Sequence, residues 1–302
     1  MRAALIVLGA TGEVGRGVVQ AALERAWPVI AVARDGEALD ALRRQHAGAD
    51  LVAISASLDS EAAATRLGDE LRALGRPLGG VVATICGGCK RGRLLDQPAE
   101  FLRRTLDEDL LPHLVAARQL LPLLAASDRG GGYVLIGGPG GEQPWAGYGH
   151  DSIAAAALRM LARVLHDEAR AYPVRVQLLA VESPLRTEAN RRHACTQWPN
   201  ALAVGQRALA LIEHSAVATP AHAVVRYTAP LAESPWSDDI DLPATPANAL
   251  TSSSVEHASA AAQKAQAADS EAGLLPPRCL QDARKLLQTL ALTKRNQESS
   301  PR

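Results

Sequence analysis

The stretch Leu5-Ile6-Val7-Leu8-Gly9-Ala10-Thr11-Gly12-Glu13-Val14-Gly15-Arg16-Gly17 constrains this chain more than any other. Leu5 to Leu8 read as a buried strand, and the glycine-rich turn after them opens a helix carrying Val18, Val19, Ala22 and Leu23. A strand that stops at a helix N-terminus aims unsatisfied backbone N–H groups and the positive end of the helix dipole at one point. The usual occupant of such a point is a pyrophosphate. In this spacing Gly9 permits the tight turn, Gly12 lets the backbone approach the phosphates, and Gly15 lets the helix pack close to the strand. Thr11, Glu13 and Val14 fill the remaining positions of the expected cofactor loop. A purely structural glycine turn would show the same spacing, but the placement between a strand and a helix favours a dinucleotide site.

The rest of the chain supplies a fitting frame. Strands are expected at Pro28–Ala33, Asp50–Ile54, Gly79–Ile85, Tyr133–Ile136, Val174–Val181 and Ala223–Tyr227. Helical patterns separate them over Glu37–His46, Ser60–Leu74, Glu100–Ala126 (interrupted by Pro112), the alanine-rich run to Ala171 that begins after Tyr148, and Leu202–Glu213. Short apolar strands alternating with helices specify an α/β fold, a Rossmann-type doubly wound parallel sheet. Right-handed crossovers bring all strand C-termini to one edge, where a ligand sits.

The end of the second strand bears on cofactor choice. An acidic residue there would hydrogen-bond a ribose 2′-hydroxyl, whereas a guanidinium takes a 2′-phosphate in bidentate fashion. Arg34 occupies the strand end and Arg16 lies in the glycine loop, so NADP(H) is expected over NAD(H). Asp35 could serve the ribose instead, or pair with Arg34.

Composition narrows the classes. The 32 basic and 32 acidic residues argue against a chain-wide nucleic-acid-binding surface. Aromatics are only 3% against 47% hydrophobic residues, so the core must be built from Ala, Leu and Val. The apolar start Met1–Leu8 runs straight into the glycine loop without a cleavage-site pattern, and no run approaches the ~20 apolar residues of a membrane span. Together with four cysteines in no disulfide-like framework, this reads as a cytoplasmic protein.

From Leu5 to about Thr228 the chain resembles the short-chain dehydrogenase/reductase family, on the glycine loop, the Arg34 position and the segment Tyr133–Thr187. The resemblance implies an oxidoreductase whose tyrosine moves the proton, with a lysine four residues on, a serine at the preceding strand end and an asparagine in the preceding helix. Tyr148 matches the tyrosine by context. Ser152 stands at the lysine position, Gly137 or Gly138 at the serine position, and Asp109 at the asparagine position. A tyrosine with a pKa near ~10 is scarcely ionised at neutral pH without a nearby cation. Loss of one oxyanion donor costs on the order of 100- to 1,000-fold in rate. Ordinary family catalysis is therefore expected to be impaired. Glu182–Thr187 is similar to the family's P-G-x-x-x-T turn, which implies that Thr187 binds the nicotinamide carboxamide; otherwise it caps a helix over Glu188–Arg192.

Other features are weighed against plainer readings. His113 and His150 could supply acid–base chemistry, although lone histidines are more often structural. Cys86-Gly87-Gly88-Cys89, followed by Lys90, Arg91 and Arg93, is a redox pair, half of a metal site whose further ligands are lacking because Cys195 and Cys279 are lone and distant, or two thiols in a glycine turn. No metal site is expected. The small-residue run Ala154–Ala157 suits close packing in the family's four-helix homodimer face, or a buried face within one chain.

Beyond Thr228 the composition changes. Residues 229–277, rich in Pro, Ser, Ala and Thr, are expected to form a flexible linker. Residues 278–302 carry a basic amphipathic helix and tail that either docks a protein partner or straps onto its own domain. Two functions follow. One is an atypical NADP(H)-dependent oxidoreductase acting on a small carbonyl or alcohol substrate through Tyr148. The other is a catalytically inactive dinucleotide-binding protein that regulates or scaffolds through its C-terminal helix.

Overall fold

The computed structural model describes residues 2–88, 91–127, 131–214 and 222–228. The expected linker (229–277), the expected C-terminal helix (278–302), Cys89 and Cys279 lie outside the described residues. Seven strands form one parallel sheet in the order β3-β2-β1-β4-β5-β6-β7: β1 (Ala4–Leu8), β2 (Val29–Ala33), β3 (Leu51–Ser55), β4 (Leu78–Ala83), β5 (Gly131–Gly137), β6 (Val174–Ala180) and β7 (Val224–Arg226). Among the described residues, seven α-helices alternate with them: α1 (Glu13–Glu24), α2 (Gly36–Gln45), α3 (Glu61–Ala73), α4 (Ala99–Asp109), α5 (Leu111–Ala125), α6 (Gly149–Glu168) and α7 (Ala201–His214). This is the doubly wound α/β architecture expected from the alternation. The strand order reverses direction at β1, whose neighbours are β2 and β4, and ligands of such sheets bind at that switch point.

Every residue of β1 and β2 is buried, as a sheet covered on both faces requires. Alternation along β1 sends Leu5 and Val7 into one apolar layer with α1, α2 and α7, while Ile6 and Leu8 enter the other with α3, α5 and α6. Ala, Leu, Val and Ile fill both layers. The exceptions are Trp27 at the edge of the first layer, beneath the Arg2 guanidinium at 4.7 Å, and Tyr133, fully buried in the second. Burial pushes the Tyr133 hydroxyl strongly upward in pKa, so it stays neutral within its layer.

Pro112 does not break a single long helix at its own position. The break falls at Leu110, α4 ending at Asp109 and α5 starting at Leu111, because proline suits the first turn of a new helix. A second detail was not anticipated: α1 and α7 cross at Gly17 and Gly205. A Cβ on Gly205 would come within 2.5 Å of the Gly17 carbonyl oxygen, and one on Gly17 would collide with the Ala201 carbonyl. Two glycines let the backbones meet there.

Candidate functional site

The glycine loop closes the way its spacing requires. Gly9 has φ +76°, and its N–H donates to Val32 O at 2.9 Å, joining the turn to β2. A Cβ on Gly9 would lie 2.7 Å from Thr84 O, and one on Gly15 would collide with Gly9 O. Thr84, the first residue after β4, fixes the loop from the other side: its hydroxyl donates to Leu8 O at 2.8 Å. Gly12 is the N-cap of α1, with no side-chain hydrogen bond to the first turn. The leading N–H groups of the helix, at Glu13, Val14 and Gly15, therefore face the switch point without a side-chain cap. Thr11 is half-buried and Glu13 is exposed at the first helical position.

At the end of β2 the two candidate residues separate in role. Asp35 caps α2, its carboxylate accepting the Ala38 N–H at 3.0 Å. Arg34 is exposed, and Ser55 Oγ donates to its carbonyl at 3.2 Å. The cap engages one oxygen of the Asp35 carboxylate, Oδ1.

Tyr148 stands at the entrance to α6, as its N-cap residue with φ −133° and ψ 42°. Its ring meets Trp145 edge to face with centroids 5.8 Å apart. The loop from β4 runs alongside: Gly92 N–H donates to Gly147 O at 2.8 Å and forms an isolated bridge with Tyr148. Ser152 is buried, and its hydroxyl is bonded on both sides. It donates to Tyr148 O at 2.9 Å and accepts the Trp145 N–H at 3.0 Å. Ser152 thus secures the Trp145–Tyr148 loop and leaves the lysine position without a charge. Gly138, in the turn after β5, has open space beside its Cα.

Together these residues line a cavity of about 130 Å³ at the C-terminal edge of the sheet, next to the switch point. Its walls include Ile85 and Cys86 after β4, Asp109 at the end of α4, Ile136, Gly138 and Pro139 around the end of β5, and Trp145, Tyr148, Asp151 and Ser152. Asp109 accepts the Gly87 N–H, so the residue at the asparagine position holds the β4 loop in place. Thr187 lies beyond β6, in a turn and not ahead of the helix expected over Glu188–Arg192. Its N–H donates to Asn190 Oδ1 at 2.8 Å and its hydroxyl accepts the Asn190 N–H at 3.2 Å.

Neither histidine lines the cavity. His113 is fully buried, and its Nε2–H donates to Ile85 O at 3.1 Å, since a carbonyl only accepts. Burial, opposed by that hydrogen bond, pulls its pKa down to about 4, so the ring is neutral. His150 is buried on the α4 side of α6 with its ring edge-on to Phe101 at 4.5 Å. Cys86 is exposed in the β4 loop and accepts the Gly88 N–H at 3.3 Å. Among the described residues no group of His, Cys, Asp and Glu is disposed to hold a metal, and no helix is long and apolar enough to cross a membrane.

Sequence reasoning missed an ion-pair network that anchors the loop after β5. Arg159 of α6, with its side chain only 9% exposed, pairs with Glu142 at 2.5 Å and Glu182 at 3.2 Å. Arg226 of β7 closes the set on the same two carboxylates. The Arg226 hydrogen bond, backed by the Arg159 charge, holds the Glu142 carboxyl below the usual carboxylate range. The four residues are scattered over 85 positions, from 142 to 226, in no local motif, so only the fold brings them together.

The comparisons with known proteins agree with this architecture. The profile of the short chain dehydrogenase family matches residues 3–195. A rhamnolipids biosynthesis 3-oxoacyl-[acyl-carrier-protein] reductase from Pseudomonas aeruginosa is 32% identical over 188 residues, covering 59% of this chain and 71% of the relative. Two solved structures share the fold at low identity. The NADPH-bound short chain oxidoreductase from Pseudomonas aeruginosa PAO1, described as containing an atypical catalytic center, has a TM-score of 0.65 at 20% identity, covering 74% of this chain and 95% of that one. A metagenomic short-chain oxidoreductase in complex with NADP has a TM-score of 0.61 at 20% identity, covering 75% and 98%. The chain belongs to the short-chain dehydrogenase/reductase family.

Proposed function

We propose that this chain is an NADP(H)-dependent oxidoreductase that moves a hydride to or from a small-molecule substrate in the cavity beside Tyr148. One observation carries the reading: the N-terminus of α1 is built of glycine, lacks a side-chain cap and opens at the strand switch point. Backbone N–H groups of Glu13, Val14 and Gly15 would hold the pyrophosphate there, with Gly9 and Gly12 giving the backbone room and Thr11 flanking it. The exposed Arg34, with Arg16 on α1, favours a 2′-phosphate over a free ribose hydroxyl. The NADPH- and NADP-bound relatives lend the same preference. Thr187 is assigned to the nicotinamide end; its hydroxyl accepts from Asn190 and can still donate. When bound, the reduced nicotinamide supplies the hydride. Tyr148, held by Trp145 and the Gly92 bridge, would position the substrate and offer its O–H.

The test is direct binding. Calorimetric titration should show NADPH binding at least ~10-fold tighter than NADH, the discrimination worth about one charge-assisted contact. Equal affinities would overturn the 2′-phosphate assignment, and binding of neither would overturn the oxidoreductase reading. A second reading, a dinucleotide-binding protein without turnover, is favoured by the Ser152 hydroxyl being fully engaged where the family carries its cation. A chain that binds NADPH yet reduces no compound in a carbonyl and imine panel would be of that kind.

The chain is further proposed to work in the cytoplasm as a homodimer. Ile153, Met160 and Val164 stand exposed on one stripe of α6, and Leu111 is exposed at the start of α5. A second copy would cover these apolar residues.

A further inference from the structure

Resting on the oxidoreductase reading, we propose that the loop after β6 selects substrates carrying an anionic group, a carboxylate or a phosphate, and that Arg186 and Arg192 hold that group. The loop is a closed unit. Arg186 N–H donates to Pro199 O at 2.7 Å and joins its two ends, as in an Ω-loop. Inside it, Asn190 Nδ2–H donates to Leu185 O at 2.8 Å, and the His193 and Ala194 N–H groups both donate to Asn190 O at 2.9 Å. Trp198 and Pro199 are buried at its base, and Asn200 accepts the Ala203 N–H at 2.8 Å where α7 begins. The backbone is fixed from within, a setting in which loops commonly carry function.

Its charges are unbalanced. Between Ser183 and Asn200 the acidic residue is Glu188 alone, against Arg186, Arg191, Arg192 and His193. Glu188 pairs with Arg191 at 3.2 Å. Glu182, which opens the loop, is taken up by Arg159 and Arg226. Arg186, Arg192 and His193 are exposed, and none has an ion-pair partner among the described residues.

Two relationships set this excess positive charge beside the site. Glu182 is bonded to Arg159, the residue after Leu158 of the cavity wall, so the loop is rooted next to that wall. From Glu182 to Arg186 the chain spans at most about 14 Å, and Arg186 adjoins Thr187, assigned above to the nicotinamide end. The cavity supplies the complement. At about 130 Å³ it is close to the roughly 150 Å³ that encloses a benzene ring, so it takes one ring or a short branched chain. No Lys, Arg or His is among the described residues that line it, so an acid group on the substrate finds its cation outside, on the loop. A guanidinium meets carboxylate and phosphate oxygens in the same two-point fashion, which suits either source of the charge. A substrate of this class places its carbonyl on an apolar, ring-sized unit in the cavity and its acid group against Arg186 and Arg192.

The test titrates three aryl ketones calorimetrically into the NADP⁺-loaded full chain: 3-acetylbenzoate, its isosteric amide 3-acetylbenzamide, and 3-acetylphenyl phosphate. At least one of the two anions should bind at least ~10-fold tighter than the amide, the scale of one bidentate charge-assisted contact. The tighter of the two names the source of the charge, carboxylate or phosphate. The preference should shrink as salt is raised, because the guanidinium groups are exposed. Arg186→Met combined with Arg192→Met should abolish it, and the corresponding pair of lysine substitutions should keep part of it, while NADPH affinity stays nearly unchanged in both. Equal binding of the anions and the amide, or an undiminished preference in the methionine variant, would overturn the proposal. Equal loss of NADPH affinity in that variant would overturn it too, by giving the two arginines to the cofactor's phosphates. These measurements read binding, so a protein that holds NADPH without turnover still answers them. If NADPH does not bind in the direct titration, the oxidoreductase reading falls and the proposal with it, so the two failures are told apart.

Discussion

The Ser152 hydroxyl donates to the carbonyl of Tyr148, one helical turn earlier, at 2.9 Å and in the same position accepts the Trp145 N–H. It makes the fourth residue after Tyr148 a structural clamp, where the family resemblance calls for a charge. Ser152→Ala should leave the Trp145 N–H without its partner and lower stability by about 1–2 kcal/mol. Ser152→Lys should lower it further, because the position is buried and the Trp145 N–H loses its partner to a desolvated charged side chain. Thermal midpoints of the two variants check this; a lysine variant as stable as wild type would show that the clamp is dispensable.

The crossing of α1 and α7 makes a second prediction. A Cβ at position 205 would approach Gly17 O to 2.5 Å, so Gly205→Val must push the helices apart. Overpacking of this kind typically costs about 1–3 kcal/mol. For a domain of this size each kcal/mol shifts the midpoint by roughly 2–4 °C. Gly48→Val, with nothing within contact distance but φ +87°, is a control that isolates backbone strain from collision.

Acid should weaken the fold through His113. Its folded pKa is lowered to about 4 by burial, while the unfolded chain titrates near 6.5, so between those values only the unfolded chain binds a proton. Stability contributed by the neutral ring is full above pH 6.5 and declines as pH falls toward 4. The total is roughly 3 kcal/mol from the shift of about 2.5 pH units. Denaturant unfolding from pH 7 to pH 4.5 should show the decline in wild type and a shallower one in His113→Gln. Glu142 acts in the same direction at lower pH: its folded pKa is depressed, so its contribution is present above the ordinary carboxylate range and lost in stronger acid.

Met160 stands 55% exposed between Ile153 and Val164 on α6. If a second copy covers the stripe, Met160→Glu should convert a dimer to a monomer in sedimentation equilibrium with little change in far-ultraviolet dichroism. A monomeric wild-type chain would rule out that use of the face.

Much of the frame was legible because local patterns carry it. Leu5–Leu8 and the glycines after them, the apolar strands and the capping residues specify their elements without reference to distant residues. What sequence could not disclose depends on partners far along the chain. Asp35 offered two roles, and the cap it makes to the Ala38 N–H is a third that shows only where α2 begins. Thr187 was open between a cofactor contact and a helix cap, and the chain makes a turn with Asn190 instead of the helix. The Arg159, Arg226, Glu142 and Glu182 network and the Gly17–Gly205 crossing have no local signature at all. Asp151 escaped notice for the same reason: a carboxylate two residues beyond a glycine becomes part of a cavity wall only when α6 is set against the β4 loop.

The central claim is that the glycine loop and Arg34 together hold a phosphorylated dinucleotide. The most direct measurement is the ratio of NADPH to NADH dissociation constants for wild type and Arg34→Ala. The account predicts that the substitution weakens NADPH binding by at least ~10-fold, the scale of a bidentate guanidinium–phosphate contact, and leaves NADH binding nearly unchanged. Equal weakening of both cofactors, or no effect on either, would contradict it.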